Sequence, residues 1–174
     1  DAGNFGPYRN QILVGDQYSA EVFRVSLQKV SGRWQGGCYP LRSELKAGLT
    51  RLAWAEDGSL WCGMTTRGWP SLGTATEGLQ RVRWTGKIPF DLLSLAVVED
   101  GLVAAFTLPV DPDSFSVDSF HVRSWTYQHW STYGSDLVDE AEHEVSSAVA
   151  SEDGMSVRLV IEDLRPGYVY EVEA

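Results

Sequence analysis

Residues 49–65 read Leu-Thr-Arg-Leu-Ala-Trp-Ala-Glu-Asp-Gly-Ser-Leu-Trp-Cys-Gly-Met-Thr. Two short runs with period-two patterning flank the tripeptide Glu56-Asp57-Gly58. Alternation of this kind is the mark of a half-buried strand, and Asp-Gly supplies the positive φ angles of a tight two-residue turn, so the stretch predicts a β-hairpin. The tripeptide returns as Glu99-Asp100-Gly101 and Glu152-Asp153-Gly154, each time between apolar runs. Outward from these hairpins the same rhythm continues, in Gln11–Val14, Glu21–Leu27, Leu79–Trp84, Leu92–Val98, Leu102–Phe106, Phe120–Trp125, Val145–Ala150, Val157–Ile161 and Tyr168–Val172. The fold class is therefore all-β. Leu137–Glu144 is the one stretch with helical character, and its acids fit a solvated loop equally well.

A chain of 174 residues holds one ordinary domain or two small ones. Its 14 Lys+Arg against 24 Asp+Glu leave a net charge of −10, which argues against a nucleic-acid partner, since phosphate binding needs a basic surface. No apolar run approaches the ~20 residues of a membrane-spanning helix. The chain opens at Asp1 with neither Met nor a secretory or transit segment, so we expect a mature product or an excerpt of a longer one.

Charge divides the chain. Residues 1–86 carry 10 basic and 7 acidic residues, and residues 87–174 carry 4 and 17. Thirteen of the 17 glycines and five of the seven tryptophans also fall in the first part. Such a step marks a domain boundary, which we place at Thr85-Gly86-Lys87-Ile88-Pro89. Residues 1–86 then form two successive groups of three strands, about two propeller blades at ~40–50 residues each, too few to close a propeller. Residues 87–174 offer roughly seven short strands with regular turns, as in an Ig-like β-sandwich. Within its last strand, period two puts Tyr168 and Tyr170 on one face.

The strings NQILVGDQ (10–17), EVFRVSLQKVSGRWQGGCYPLRSEL (21–45), GLTRLAWAEDGSLWCGMTTRGWPSLG (48–73), GLQRVRWTGKIPF (78–90) and HWSTYGSDLVD (129–139) carry a family likeness. Together they resemble the end of bacterial membrane-bound dehydrogenase-like proteins, relatives of the quinoprotein (PQQ) sugar dehydrogenases, in which a β-propeller is followed by a small sandwich. The resemblance implies an extracytoplasmic location and a parent whose PQQ is held mostly by other blades. No Cys-x-x-Cys-His is present for covalent haem. The strings LLSLAVVEDGLVAAFTLPVDPDSF (92–115) and VSSAVASEDGMSVRLVIEDLRPGYVYEVEA (145–174) resemble a bacterial Ig-like module ending in a Pro-Gly turn before its last strand.

Chemistry-bearing residues are few. The loop Thr65-Thr66-Arg67-Gly68-Trp69 puts an arginine beside an indole, and Arg67 is a candidate partner for a quinone carboxylate while Trp69 is a candidate platform for a sugar. Structural roles for both, carbonyl pairing and core capping, compete with this reading. Trp125, Tyr127 and Trp130 lie in an aromatic tract (125–133) of the kind that stacks against pyranose rings, with filling of the core or of the seam between the halves as the competing role. Period two puts Trp125 and Tyr127 on one face and Trp130 on the other unless the strand bulges. Cys38 and Cys62 form one disulfide or remain two thiols, and Cys62, in step with Leu60 and Met64, reads as buried. The acids Asp111, Asp113 and Asp118, and Asp139, Glu140, Glu142 and Glu144, are candidate Ca²⁺ loops, although no EF-hand pattern is present. His121, His129 and His143 have no ligand spacing. Neither a glycosidase carboxylate pair nor a Gly-x-Ser-x-Gly elbow can be assigned.

The expectation is a noncatalytic accessory region of an exported quinoprotein dehydrogenase-like protein, docking to upstream propeller blades or to carbohydrate. The alternatives are a self-standing carbohydrate-binding module and a fragment of a PQQ-dependent oxidoreductase site.

Overall fold

The computed structural model describes residues 5–174. It is nearly all β: strands β1 (Ile12–Asp16), β2 (Glu21–Val30), β3 (Arg33–Arg42), β4 (Leu49–Trp54), β5 (Leu60–Thr65), β6 (Glu77–Val82), β7 (Leu92–Val98), β8 (Gly101–Phe106), β9 (His121–Tyr127), β10 (Leu137–His143), β11 (Val145–Ala150), β12 (Ser156–Ile161) and β13 (Val169–Glu173). Two single 3₁₀ turns, Pro112–Ser114 and Val117–Ser119, stand between β8 and β9. Leu137–Glu144, the stretch with helical character in the sequence, is mostly strand β10, paired antiparallel with β9. Sheet pairing decides it, together with a bulge between Val138 and Ala141 at which Asp139 takes a positive φ.

The chain divides into two compact units between Ser94 and Leu95. In the first, β1-β2-β3 and β4-β5-β6 are two antiparallel three-stranded meanders. Their shared core is Phe5, Ala20, Val22, Leu45, Ala47, Leu49, Leu60, Cys62 and Met64, all at most 5% exposed. Strand β5 buries every second residue (Leu60, Cys62, Met64), as its alternation predicts. Each large aliphatic side chain buried there contributes about 2 kcal/mol relative to exposure. Both cysteines are free. Cys62 lies in this core, whereas Cys38 is exposed on β3 in the other sheet, so the bridge weighed from sequence is not made. Burial raises the pKa of both thiols.

The second unit holds a four-stranded sheet in the order β11-β12-β8-β7 and a three-stranded sheet in the order β10-β9-β13. Burial alternates along the central strands: Leu102, Ala104 and Phe106 on β8, Val157, Leu159 and Ile161 on β12, and Val122 and Ser124 on β9 are all at most 6% exposed. The hydroxyl of Tyr170 on β13 accepts from the Arg165 backbone N–H at 2.5 Å, tying the β12–β13 corner to the strand that follows it.

All three Glu-Asp-Gly tripeptides join antiparallel neighbours, but they do not make one turn. At β4–β5 the loop holds three residues, because the Gly58 N–H returns to the Ala55 carbonyl at 3.0 Å and only Gly58 has positive φ. This is a type I turn closed by a left-handed glycine rather than the two-residue form. Asp57 there accepts from the hydroxyl and backbone N–H of Ser59. Those bonds, with Arg81 and Arg83 beside it, hold its carboxyl at about 2. At β11–β12 the loop is one residue longer, closed by Ser151 and Ser156. At β7–β8 only Glu99 and Asp100 separate the strands.

Candidate functional site

Three places carry polar or aromatic groups in defined geometry. The first is the β5–β6 loop, residues 66–76. Its base is held by the backbone bonds Thr66 N–H to Thr76 O (2.8 Å) and Ala75 N–H to Lys46 O (2.7 Å), and its middle by Leu72 N–H to Tyr18 O (2.8 Å). The loop lines an open cleft of about 570 Å³ with Thr66, Trp69, Ser71, Thr74 and Thr76. Trp69 is 65% exposed. Arg67 is exposed, its N–H donates to the Thr65 hydroxyl, and its guanidinium has no partner among the described residues. Trp69 thus lines a polar cleft. A pyrroloquinoline quinone is a tricarboxylate, and Arg67, the one cation of this loop, is not among the residues that line the cleft. These residues do not by themselves build a site for that cofactor.

The second place is the β9–β10 hairpin. Trp125 and Tyr127 follow the outward parity of β9, opposite the buried Val122 and Ser124. The Trp125 Nε1–H donates to the Tyr127 hydroxyl at 2.9 Å, and the Arg123 guanidinium lies over the indole, 5.2 Å from its centroid. Arg123 is itself ion-paired with Glu171 across the strands. Trp130 lies beyond the end of β9, so strand parity does not place it. Its Nε1–H donates to the Gly134 carbonyl at 2.6 Å, closing the loop on itself while leaving the ring 54% exposed. Tyr133 at the tip is fully exposed, and Leu137 and Val169 add exposed apolar surface beside Tyr127 and Trp125. Among the tryptophans, Trp34, Trp54, Trp69 and Trp130 are at least 41% exposed, whereas Trp61, Trp84 and Trp125 are half-buried and Trp84 packs against the core of the first unit.

The third place was invisible in the sequence. Arg24 on β2 is completely buried, although period two alone would assign that position to any inward-facing side chain. Its guanidinium lies between the rings of Tyr8 and Tyr39, 4.4 and 4.6 Å from their centroids. It donates to Asp91 Oδ2 (2.9 Å), to the carbonyls of Leu92 (2.5 Å) and Leu93 (3.0 Å), and to Gln11 Oε1 (3.2 Å). Its Nε–H has no partner. Tyr8 donates to the same Asp91 oxygen at 2.7 Å; burial first and then this bond push the phenol up to about 12. All four Nη hydrogen bonds of Arg24 go to protein groups, so the cluster is a staple and not a ligand site. It also explains why the first unit runs on to Ser94, past the Gly-Pro punctuation at 86–89.

Among the described residues no three His, Cys, Asp or Glu side chains are grouped to hold a metal ion. Asp111 caps its own 3₁₀ turn, and Asp139 is engaged by Arg165 and Tyr168. His121 and His129 are exposed, while His143 meets the buried Ser124 hydroxyl at 2.8 Å and the Tyr170 ring. Tyr168 and Tyr170 therefore serve different contacts. Among the described residues no helix is long and apolar enough to cross a membrane. No family model, curated protein or solved structure matches this chain.

Proposed function

We propose that the chain is a noncatalytic accessory region of an exported quinoprotein sugar dehydrogenase-like protein, and that it binds carbohydrate through the β9–β10 hairpin. One observation carries the reading: the hairpin's indole N–H groups are spent within the hairpin while the Trp130 and Tyr127 rings stay exposed and the Trp125 ring is half-buried. Pyranose C–H faces pack on such rings, and rings already held in place lose little freedom on binding. Two successive three-stranded meanders support a blade-like origin for the first unit. For the second, the sheets β11-β12-β8-β7 and β10-β9-β13, with the Tyr170 hydroxyl turned back to the corner backbone, support an Ig-like sandwich.

Affinity gel electrophoresis against a panel of soluble glycans tests the proposal, with Trp130→Ala and Trp69→Ala run beside the parent. The expected result is retardation by at least one glycan, abolished in Trp130→Ala and kept in Trp69→Ala. The opposite pattern would move the site to the β5–β6 cleft. Absence of retardation by every glycan would overturn carbohydrate binding and leave docking to other blades as the better account.

A further inference from the structure

We infer that the free edge of β13 is a strand-acceptor site, taking an extended polypeptide segment with apolar residues on one side and Lys or Arg on the other. Among the described residues β13 pairs only with β9, so it ends its sheet. An unpaired edge presents N–H and C=O groups in register for another strand, a recurrent mode of peptide recognition. The burial of the second unit points the same way. On the central strands β8, β12 and β9 the inward residues are at most 6% exposed, whereas Tyr170 and Val172, the inward residues of β13, are only half-buried. The core is closed in the middle and half-open along its edge strands, β13 among them; bulges blunt β10 and β11, whereas β13 pairs in unbroken register. An added strand with Val, Ile or Tyr facing inward would complete it.

The outward side selects the partner. Glu171 and Glu173 alternate with the inward residues, and Glu140 adds negative charge around Arg123, the cation ion-paired with Glu171. Pairing β13 with a second copy of itself sets Glu171 against Glu171, or Glu171 against Glu173, according to register. Like charges directly opposite each other destabilise a sheet. Basic residues on the incoming strand meet these acids favourably, so the occupant is a basic-apolar strand and not another molecule of this chain.

A synthetic capped peptide of alternating Lys and Val, seven residues long, is the probe. Added to the full chain, it is expected to slow hydrogen exchange of alternate amides in Val169–Glu173, about tenfold at nine-tenths occupancy, with the other sheet edges unchanged. Glu173→Lys, an exposed position that leaves the fold intact, is expected to weaken binding about threefold or more and to reduce its salt sensitivity. Three results would overturn the inference: no protection at millimolar peptide, protection at β3 or β6 in place of β13, or a dimer through β13 in sedimentation without peptide. Unchanged affinity in Glu173→Lys would remove the charge argument and with it the stated partner.

Discussion

Removing the carboxylate of Asp91 should cost the first unit far more than a surface ion pair is worth, because the cation it leaves behind has nowhere to go. Arg24 is 0% exposed and the Asp91 side chain 34% exposed. Breaking a buried pair from one side typically costs 3–5 kcal/mol. The partial exposure of Asp91, and the two carbonyls and two tyrosine faces that remain around the guanidinium, set the expectation for Asp91→Ala at the low end, about 3 kcal/mol. Arg24→Met removes the charge as well as the bonds. Gln11 Nε2 still serves the Leu93 carbonyl at 2.6 Å and Tyr8 still serves Asp91, so the loss centres on the Leu92 carbonyl, about 2 kcal/mol. The double variant should then also stand near 2 kcal/mol, not near the additive ~5, a coupling of about 3 kcal/mol. Five of the seven tryptophans lie in this unit, so fluorescence-detected urea unfolding reads it directly. For a unit of this size Asp91→Ala should lower Tm by about 12–24 °C. Additive single effects, or an Asp91→Ala loss below about 1 kcal/mol, would show that the guanidinium is hydrated or partnered elsewhere and refute the staple.

Two further outcomes follow from the same structure. The Tyr8 phenol is raised to about 12 from an unfolded value near 10, so the unfolded chain loses this proton first; stability should be intact below pH 10 and fall as pH rises toward 12. Unfolding monitored against pH should show that slope, and Tyr8→Phe should flatten it. Gly101→Ala should cost the second unit at least about 2 kcal/mol, since a Cβ there would stand 2.0 Å from the Leu159 carbonyl oxygen on a backbone at φ +155°. Thermal unfolding in which this variant matches the parent would mean that β8 and β12 part without loss.

The sequence by itself determined the secondary structure and its hairpins, because period-two burial and the turn chemistry of Asp-Gly act over a few residues. Leu60, Cys62 and Met64 turn inward as their spacing requires, and Trp125 and Tyr127 share a face for the same reason. Local chemistry does not extend to pairing partners. Leu137–His143 became a strand because β9 lies beside it, and the three Glu-Asp-Gly turns differ in length and in the residue that takes a positive φ. The burial of Arg24 needed Tyr8, Tyr39 and Asp91, which lie 16, 15 and 67 positions away along the chain, to meet at one point. Only the tertiary structure left Trp34, Trp54, Trp69 and Trp130 exposed, closed the Trp130 ring on Gly134 and left β13 at the edge of its sheet. Each of these depends on which distant backbone occupies the neighbouring space, and no pattern within a strand encodes that.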